Sequence, residues 1–402
     1  MKKNIYLSEP SLVCCAGLDK NELYRSCLSG DRSGFTMREF NGKNYPVGLI
    51  KSELPKVNIK NFGIEQYAGN TRIIRIINAA LSQMEKAVEK IISKYGRDKI
   101  GVCLGSCDNG SEASLIAHNA FLNKGAFPKD YNPAFQSASF PAEFTAKKFD
   151  LGGPVLTAAT ACASGASAII RGAELIRSGV CGAVIAGGAD IVSDTVFAGF
   201  NALEAVSASL VNPFSKNRKG INLGEGAAFF ILDSDEISNI ELLGAGESCD
   251  AYHMTAPSAD GEGPAKAMKA SLADAGIESA QVGYVNLHGT GTELNDKAES
   301  LALKKVFEKD VPASSTKSIM GHTLGAAGAL EAAVCWMVLN EKRGLPVHCW
   351  DGVFDEDAPF LPVERSGDSR KDSSCKTPSI CMSNSFAFGG CNVSLILGRK
   401  ND

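Results

Sequence analysis

Short apolar runs alternate along the chain with longer segments in which apolar residues recur every three or four positions. The short runs predict buried strands, at 99–104, 155–158, 183–186, 227–232, 282–287, 380–383 and 392–397. The longer segments predict helices, at 72–94, 142–149, 164–177, 263–275, 296–307 and 325–340. This alternation favours an α/β fold in which helices cover the faces of mixed or parallel sheets.

A polar stretch near the middle of the chain predicts a boundary between two halves. Residues 233–239 carry no strand pattern, so we expect an N-terminal half of 1–239 and a C-terminal half of 240–402. Each half leads a strand into a turn rich in small residues, at 160–165 and at 386–390. That shared feature is a weak sign of internal duplication.

The composition is that of an ordinary globular protein. Of the 402 residues, 44% are hydrophobic and 21% are charged, and the net charge of −4 gives no reason to expect nucleic acid as a partner. The 13 cysteines are odd in number and lie among apolar or small residues, which is not the pattern of a disulfide framework. No signal-peptide core and no membrane-length apolar run is found, so we expect a reduced, cytoplasmic protein.

Cys162 is the cysteine whose position most suggests chemistry. It follows the strand predicted at 155–158, which we expect to be buried, and precedes the helix predicted at 164–177. A thiol at a helix N-terminus faces unpaired N–H groups and the positive end of the helix dipole, both of which favour the thiolate. On the other hand, a cysteine among alanines is often only a small buried hydrophobe. Both interpretations stay open on this segment alone.

Two of the five histidines lie where an α/β protein places ligand-contacting groups. His288 follows the strand predicted at 282–287 and precedes a glycine turn, and His322 precedes the helix predicted at 325–340. Each histidine alone fits a catalytic residue and equally a structural residue or a helix cap.

One carboxylate and one glycine pair complete the candidate chemistry. Glu331 is surrounded by apolar neighbours on its helix, which favours burial against Lys317 or a histidine over an exposed stripe. Gly389 and Gly390 permit backbone N–H groups to face a ligand oxygen, although a plain hairpin turn explains them as well.

Metal and nucleotide sites are not predicted. Cys103 and Cys107 have no matching second pair of ligands, and no histidine pair has helical ligand spacing. The glycines at 224 and 226 precede a strand rather than a helix, which excludes a dinucleotide fingerprint.

Taken together, these segments resemble the β-ketoacyl-acyl carrier protein synthases of the thiolase superfamily, specifically the elongating type with two histidines. The resemblance spans nearly the whole chain in the family's order. It is carried by residues 160–164, 212–226, 288–292, 321–322, 325–328 and 384–390, with Lys317 and Glu331. No single motif is specific, but the ordered set is.

The resemblance implies a five-layered αβαβα thiolase fold with two similar halves, and a chain that forms dimers. It implies that Cys162 accepts an acyl group from acyl carrier protein as a thioester. His288 and His322 would then bind the malonyl thioester and promote loss of carbon dioxide, while Lys317 and Glu331 form a charged pair. No metal or organic cofactor is implied.

The resemblance also implies residues that bind the substrate. Phe388 would separate the acyl and malonyl pockets, and its N–H and that of Cys162 would hold an oxyanion. Thr290 and Thr292 would hold the pantetheine arm. The full substrate-binding set is Thr290, Thr292, Phe388, Gly389, Gly390 and Asp108.

Several positions depart from the family pattern. Glu293 replaces a usual proline, Ala387 a glycine, Cys391 a threonine and Ser215 an aspartate. The adjacent Asp108 and Asn109 are polar where relatives have an acyl tunnel. Together with the segment from 286 to 300, they make the chain look closer to synthases of specialised polyenes, such as aryl polyene pigments.

Other functions fit this set of residues less well. A thiolase would use a second cysteine, for which Cys391 is available, and a starter-type synthase would use a single histidine with asparagine. A non-catalytic chain-length-factor subunit would lack Cys162, and a cysteine hydrolase would leave His322 and Lys317 unexplained. The partners expected are acyl- and malonyl-loaded carrier protein and a second subunit, in a homodimer or in a heterodimer with a chain-length factor.

Carrier protein is acidic, so a basic patch is expected near the entrance of the site. Arg72 and Arg75 are candidates, and a solvated helix face explains them as well.

Overall fold

A computed structural model of the protein describes residues 3–57, 71–108, 110–129, 131–358 and 377–400; Asn109 lies outside this set. The strands of the N-terminal half are β1 (Tyr6–Leu7), β2 (Ser11–Cys14), β3 (Phe35–Phe40), β4 (Lys43–Gly48), β5 (Ile100–Gly105), β6 (Val155–Ala158), β7 (Ala183–Asp190) and β8 (Gly226–Asp233). Those of the C-terminal half are β9 (Ile240–Cys249), β10 (Tyr284–Asn286), β11 (Ala313–Ser314), β12 (Ile380–Phe386) and β13 (Cys391–Arg399).

Except for the helix predicted at 72–94, each predicted helix has a counterpart that begins and ends close to the predicted residues. They are α1 (Lys20–Ser29), α2 (Arg72–Ser82), α3 (Glu85–Tyr95), α4 (Ser111–Lys124), α5 (Phe140–Lys148), α6 (Ser164–Arg177), α7 (Asp194–Ala202), α8 (Glu262–Ala275), α9 (Glu293–Val306), α10 (Lys317–Met320) and α11 (Ala327–Glu341).

The strands form two blocks with the same order and direction. The first block runs β6-β5-β7-β8-β1, with β2 also paired to β8, and the second runs β11-β10-β12-β13-β9. In each block the first three strands are parallel and the fourth is antiparallel to the third. The pairing of Tyr6 with Glu241 joins β1 to β9 and so makes the blocks one sheet.

Helices fill three layers around these blocks. The helices α6 and α11 contact each other and pack between the two blocks. The helices α2, α3 and α5 cover the outer face of the first block, and α8 and α9 cover that of the second. Three separate hydrophobic clusters correspond to these three helical layers. The predicted αβαβα thiolase fold is therefore confirmed.

The central helix α11 shows why the layers form. Its residues from Ala327 to Leu339 are all buried, and all but Gly328 and Glu331 are hydrophobic. A helix that is apolar all round has to be covered on every side, and the two strand blocks and α6 cover it. The single charge within this buried stretch, Glu331, is thus placed at the centre of the molecule.

Glycine lets the first turn of α6 rest directly on the strands. A Cβ atom added to Gly105 at the end of β5 would lie 2.2 Å from the carbonyl carbon of Ser164. No side chain fits in that space, so the start of α6 is held against the backbone of β5. This contact fixes the position of Cys162, two residues before the helix.

Two predictions about elements near this site are wrong. The helix predicted at 72–94 is two helices, because the N–H groups of Gln83 and Met84 bond to Ala80 and Leu81 three residues back, which ends α2 early. The strand β6 was expected to be buried, but Val155 is 36% exposed and Leu156 is 40% exposed. It is the outermost strand of its block and pairs with β5 alone among the described residues.

Arg72 is committed to a structural contact within the chain. Its Nε donates to Glu225 Oε2 at 3.0 Å, its Nη2 bonds Glu225 Oε1, and Nη2 also donates to the carbonyl of Ile50 at 2.9 Å. The Glu225 carboxylate is buried and also accepts the N–H of Ile50. Arg72 is therefore neither a charge free to bind carrier protein nor part of a solvated helix face.

Replacing Arg72 with methionine should destabilise the fold. The buried Glu225 carboxylate would keep the Ile50 N–H but lose its charged partner, so we expect the free energy of unfolding to fall by about 2–3 kcal/mol. Urea unfolding followed by circular dichroism measures the change. Arg75→Met is the matched control, since Arg75 Nε has no hydrogen-bond partner. Equal losses in the two variants would contradict the role given to the Arg72–Glu225 pair.

Candidate active site

Cys162 lies in a short turn whose shape is fixed by hydroxyl groups. The turn is a 3-10 helix, Ala161–Ala163, between β6 and α6, and Ala161 has a φ of +48°. Ser164 Oγ accepts the N–H of Thr160 at 3.0 Å and donates to the carbonyl of Ala161 at 2.6 Å. These bonds hold a non-glycine residue in the left-handed region, where it otherwise costs energy. Cys162 itself is 5% exposed.

His322 reaches Cys162 from the C-terminal half. Its Nε2 lies 3.0 Å from Cys162 Sγ. Its backbone is held by the middle of the chain, because the His322 N–H donates to Asn222 at 2.7 Å and its carbonyl accepts the N–H of Gly224 at 2.9 Å. The predicted motif around residues 212–226 therefore positions the histidine rather than contacting the cysteine itself.

His288 follows the end of β10, as its sequence context predicted. The rings of His288 and His322 are 5.4 Å apart between centroids and nearly perpendicular, at 86°. The buried carboxylate of Glu299 on α9 accepts the N–H groups of His288 and Gly289, each at 2.8 Å. Glu299 was not assigned a role from the sequence, because it lies in a helix with many other charged residues.

A buried ion pair lies behind the two histidines. Lys317 Nζ contacts Glu331 Oε1, and the two side chains are 1% and 0% exposed. The expected burial of Glu331 against Lys317 is thus confirmed. Lys317 Nζ also lies 3.4 Å from His288 Nδ1. Because an ammonium group is only a donor, this contact makes Nδ1 an acceptor and leaves the ring proton on Nε2.

Burial determines the protonation of the site. It lowers the pKa of His288 and of His322 well below their usual value, and the nearby Lys317 charge lowers both further. Burial also raises the pKa of Glu331 to about 7, against the attraction of Lys317. Both imidazoles are therefore neutral near pH 7.

The thiol of Cys162 is also neutral, although the helix N-terminus favours its thiolate. Burial raises its pKa to about 12, against the Lys317 charge and the N–H of Phe388, which lower it. Desolvation of the sulfur therefore outweighs the effect of the helix N-terminus. A neutral thiol beside a neutral imidazole can be activated by passing its proton to that imidazole.

The Phe388 loop, residues 387–391, borders the site. Its Phe388 N–H faces the Cys162 sulfur, and the Phe388 ring stacks on Phe200 at 5.7 Å. The Gly389 N–H donates to Met254 at 2.8 Å and the Gly390 N–H to Ala387 at 3.1 Å. The two glycines therefore shape the loop, with φ of +80° and +74°, while the N–H that faces the site belongs to Phe388.

One cavity of about 520 Å³ unites most of the predicted residues. It is lined among others by Cys162, His288, His322, Thr290, Thr292 and Phe388. The hydroxyl groups of Thr290 and Thr292 lie 3.0 Å apart. The lining does not include Gly389, Gly390, Cys391 or Asp108. A second cysteine at Cys391, as in a thiolase, is thus not placed at the cavity.

Asp108 lies beside a separate small space lined by Phe135 and Phe140. It accepts the N–H groups of Gly110 at 3.1 Å and Ser111 at 3.2 Å, and so caps the start of α4. Burial raises the pKa of this carboxyl.

A second buried carboxylate, Asp190, lies close to both Asp108 and Cys162 and was not assigned a role from the sequence. It accepts the N–H of Cys107 at 2.9 Å and that of Gly325 at 2.8 Å. Burial raises its pKa to about 7, and Asp108 adds to the effect. Asp190 ties the loop after β5 to the segment before α11.

Two departures from the family pattern have a local explanation. Glu293 is the first residue of α9. A proline there would fit the backbone of the first helical turn, and an acidic residue there interacts favourably with the positive end of the helix dipole. Ser215 Oγ donates to Asp351 at 2.7 Å, so the carboxylate missing at position 215 is present on a neighbouring segment. No group of three or more metal-ligating side chains occurs among the described residues.

Comparison with known proteins agrees with this geometry. Residues 46–237 match the beta-ketoacyl synthase N-terminal domain, and residues 240–348 match the beta-ketoacyl synthase C-terminal domain. The 3-oxoacyl-[acyl-carrier-protein] synthase 2 of Staphylococcus aureus (strain COL) is 34% identical, over 99% of this chain and 98% of the relative. That of Vibrio cholerae serotype O1 is 31% identical, over 99% of each chain.

Solved structures show the same relationship. The ketosynthase ApeO in complex with its chain length factor ApeC, from Xenorhabdus doucetiae, matches with a TM-score of 0.90 and 36% identity, over 99% of this chain and 98% of that one. The ishigamide ketosynthase/chain length factor matches with a TM-score of 0.85 and 27% identity, over 100% of both chains.

A thiolase fold with a cysteine and two histidines in one cavity defines a condensing enzyme, an acyltransferase. The chain belongs to the β-ketoacyl synthase family. Among the described residues, no helix is long and apolar enough to cross a membrane.

The neutral thiol predicts how Cys162 reacts with an alkylating reagent. Its rate of modification by iodoacetamide should keep rising from about pH 7 to about pH 9, because only the thiolate reacts and the pKa of Cys162 is about 12. Peptide mapping by mass spectrometry measures modification at this residue. A plateau reached near neutral pH would show a stabilised thiolate and contradict the proposed protonation state.

Proposed function

We propose that the protein is a 3-oxoacyl-acyl carrier protein synthase that lengthens an acyl chain on Cys162 by two carbons. The observation that carries the proposal is the convergence of Cys162, His288 and His322 on one cavity, with the Lys317–Glu331 pair behind them. The named relatives are 3-oxoacyl-[acyl-carrier-protein] synthases, which supports the substrate class.

The first half of the reaction loads the enzyme. Cys162 passes its proton to His322 Nε2, 3.0 Å away, as the sulfur attacks the thioester carbonyl of the acyl carrier protein. The N–H groups of Cys162 and Phe388 hold the oxyanion. The new carbon–sulfur bond forms, the carrier's bond breaks, and the proton passes from His322 to the departing pantetheine sulfur.

The second half uses both imidazoles as donors. Once the carrier has left, His322 takes up a proton on Nε2 and gives its Nδ1 proton to solvent. The Nε2–H of His288 and that of His322 then donate to the malonyl thioester oxygen. The carbon–carboxylate bond breaks, carbon dioxide leaves, and the electrons of that bond pass into an enolate. The enolate carbon attacks the Cys162 thioester, and the cysteine leaves and regains a proton that solvent supplies through His322. Lys317 supports this step because it keeps the His288 proton on Nε2.

Intact-mass analysis after mixing with a panel of acyl carrier proteins tests the proposal. The wild-type protein should gain one acyl group, and Cys162→Ala should gain none because it lacks the sulfur nucleophile. Cys181→Ala, which changes another cysteine with no contact to the cavity, is the matched control. Condensation with acetyl-CoA alone, without malonyl carrier protein, would contradict the proposal in favour of a thiolase.

The acyl chain that we propose is unsaturated, as in an aryl polyene. Asp108 supports this, because it places a buried carboxyl beside Asp190, which in turn lies near Cys162. On the cavity side, Thr290 and Thr292 bind the pantetheine arm.

We propose that a second subunit pairs with the exposed edge strand β6. Val155 and Leu156 leave apolar side chains and unpaired backbone groups at the edge of the sheet, which is a ready template for another strand. The helix α4 also exposes the apolar side chains of Leu122 and Phe121. A second chain of the same fold, either another copy or a chain-length factor, covers these groups.

Light scattering tests this interface. The purified chain should have twice the mass of 42.3 kDa, and Leu156→Lys should shift it toward the single chain because the charge would be buried at the interface. Met37→Lys, at an exposed apolar residue of β3, is the control and should leave the mass unchanged. A wild-type monomer would contradict pairing with itself and leave a chain-length factor as the partner.

We further propose that the protein consists of halves 1–239 and 240–402 and works in the reducing cytoplasm. The repeated order of strands in the two blocks supports the division. The free thiols of the described cysteines support the compartment.

A further inference from the structure

Two cysteines face each other across neighbouring strands beside the Phe388 loop. Cys249 is the last residue of β9 and Cys391 is the first residue of β13, and the two are directly paired in the antiparallel register. Side chains of directly opposed residues point to the same face of a sheet. The sulfur atoms of Cys249 and Cys391 are therefore neighbours.

The hydrogen-bond pattern shows which kind of pair this is. The N–H of Asp250 donates to the carbonyl of Gly390 at 2.9 Å, which makes the adjacent position a hydrogen-bonded one. Because bonded and non-bonded pairs alternate along an antiparallel ladder, Cys249 and Cys391 form a non-bonded pair, with Cα atoms about 4.5 Å apart. Disulfides bridge Cα atoms roughly 4.4–6.8 Å apart, so this pair lies at the short end of the range.

The two thiols differ in how accessible they are to a reagent from solvent. Cys249 is the one exposed cysteine of the described residues, and Cys391 is half-buried. The Cys249 thiol lies 3.8 Å from the carbonyl of Gly389 in the Phe388 loop. Cys249 is thus placed to react first with a reagent from solvent, and Cys391 is placed to resolve the product.

We propose that Cys249 and Cys391 form a reversible disulfide that links β9 to the base of the Phe388 loop. With a small-molecule disulfide as oxidant, the Cys249 thiolate attacks one of its sulfurs, forms a mixed disulfide and releases one thiol. Cys391 then attacks the Cys249 sulfur, closes the protein disulfide and releases the second thiol. The two protein thiols lose two electrons and two protons, and the oxidant becomes two thiols.

The position of the pair indicates what the bond changes. Oxidation removes the Cys249 S–H that donates to Gly389, and it adds a covalent link beside the Asn392 amide, which donates to Gly390 at 3.1 Å and to Asp250 at 2.7 Å. These are the contacts that hold the Phe388 loop at its base. A bridge at the short end of the geometric range and open to solvent is readily reduced, as a switch requires.

Disulfide mapping tests the proposal on the full-length protein. After treatment with oxidised glutathione, denaturation and alkylation, digestion of the wild type should give a linked peptide pair containing Cys249 and Cys391. Dithiothreitol should restore two alkylatable thiols. The readout is independent of catalysis, so it stands or fails separately from the proposed function.

Two variants make the outcome decisive. In Cys391→Thr the resolving thiol is absent, so glutathione should accumulate on Cys249, whereas it should not accumulate in the wild type. In Cys249→Ser neither the mixed nor the protein disulfide should form at these positions. Glutathione that remains on Cys249 in the wild type, or two thiols that both stay free, would overturn the proposal.

Discussion

Two helices without bulky side chains at their crossing lie between the two strand blocks, and the whole site depends on how closely they approach. A Cβ atom added to Gly165 of α6 would lie 2.8 Å from the carbonyl of Gly325, and one added to Gly328 of α11 would lie 2.8 Å from the Cβ of Ala166. The N-terminal half supplies the nucleophile and the C-terminal half supplies both histidines. A single larger residue at this crossing would push the two helices apart and so separate Cys162 from His322.

Close packing also sets the electrostatics of the site. Burial holds the sulfur and both imidazoles in their neutral forms, with the Lys317–Glu331 pair behind them. Neutral donors in a buried site suit a reaction in which negative charge appears only in passing, on an enolate or a tetrahedral oxygen. The buried carboxylates Glu299 and Asp190 serve the backbone instead, since each accepts main-chain N–H groups that fix the loops around the site.

The sequence predicted the residues whose chemistry is unusual for their surroundings. Glu331 stands alone in an apolar helix, and its burial and partner followed from that fact. Glu299 is buried in the folded protein as Glu331 is, but its helix contains many other charged residues, so the sequence did not mark Glu299 as unusual. The strand β9 was also missed, because Gly244 and Gly246 replace apolar residues where α8 packs directly on the backbone.

Other features depend on the assembled fold and have no local signal. The exposure of Val155 reflects the place of β6 at the end of the strand order, which is set by pairing between distant segments. The neutral state of Cys162 reflects a competition between burial and the helix end, and the sequence reveals only the second. That Cys249 and Cys391 face each other follows from the register of two strands that are far apart in the chain, and no local pattern reveals that register.

The strand β13 has a consequence for how the C-terminal half folds. It lies between β12 and β9 in the middle of its block, although β9 and β13 are the first and the last strand of that half in chain order. Until β13 is in place, β12 and β9 each present an unpaired edge. The sheet of the C-terminal half therefore depends on pairing between segments far apart in the chain, which is a slow step in folding and leaves those edges open to aggregation in the meantime.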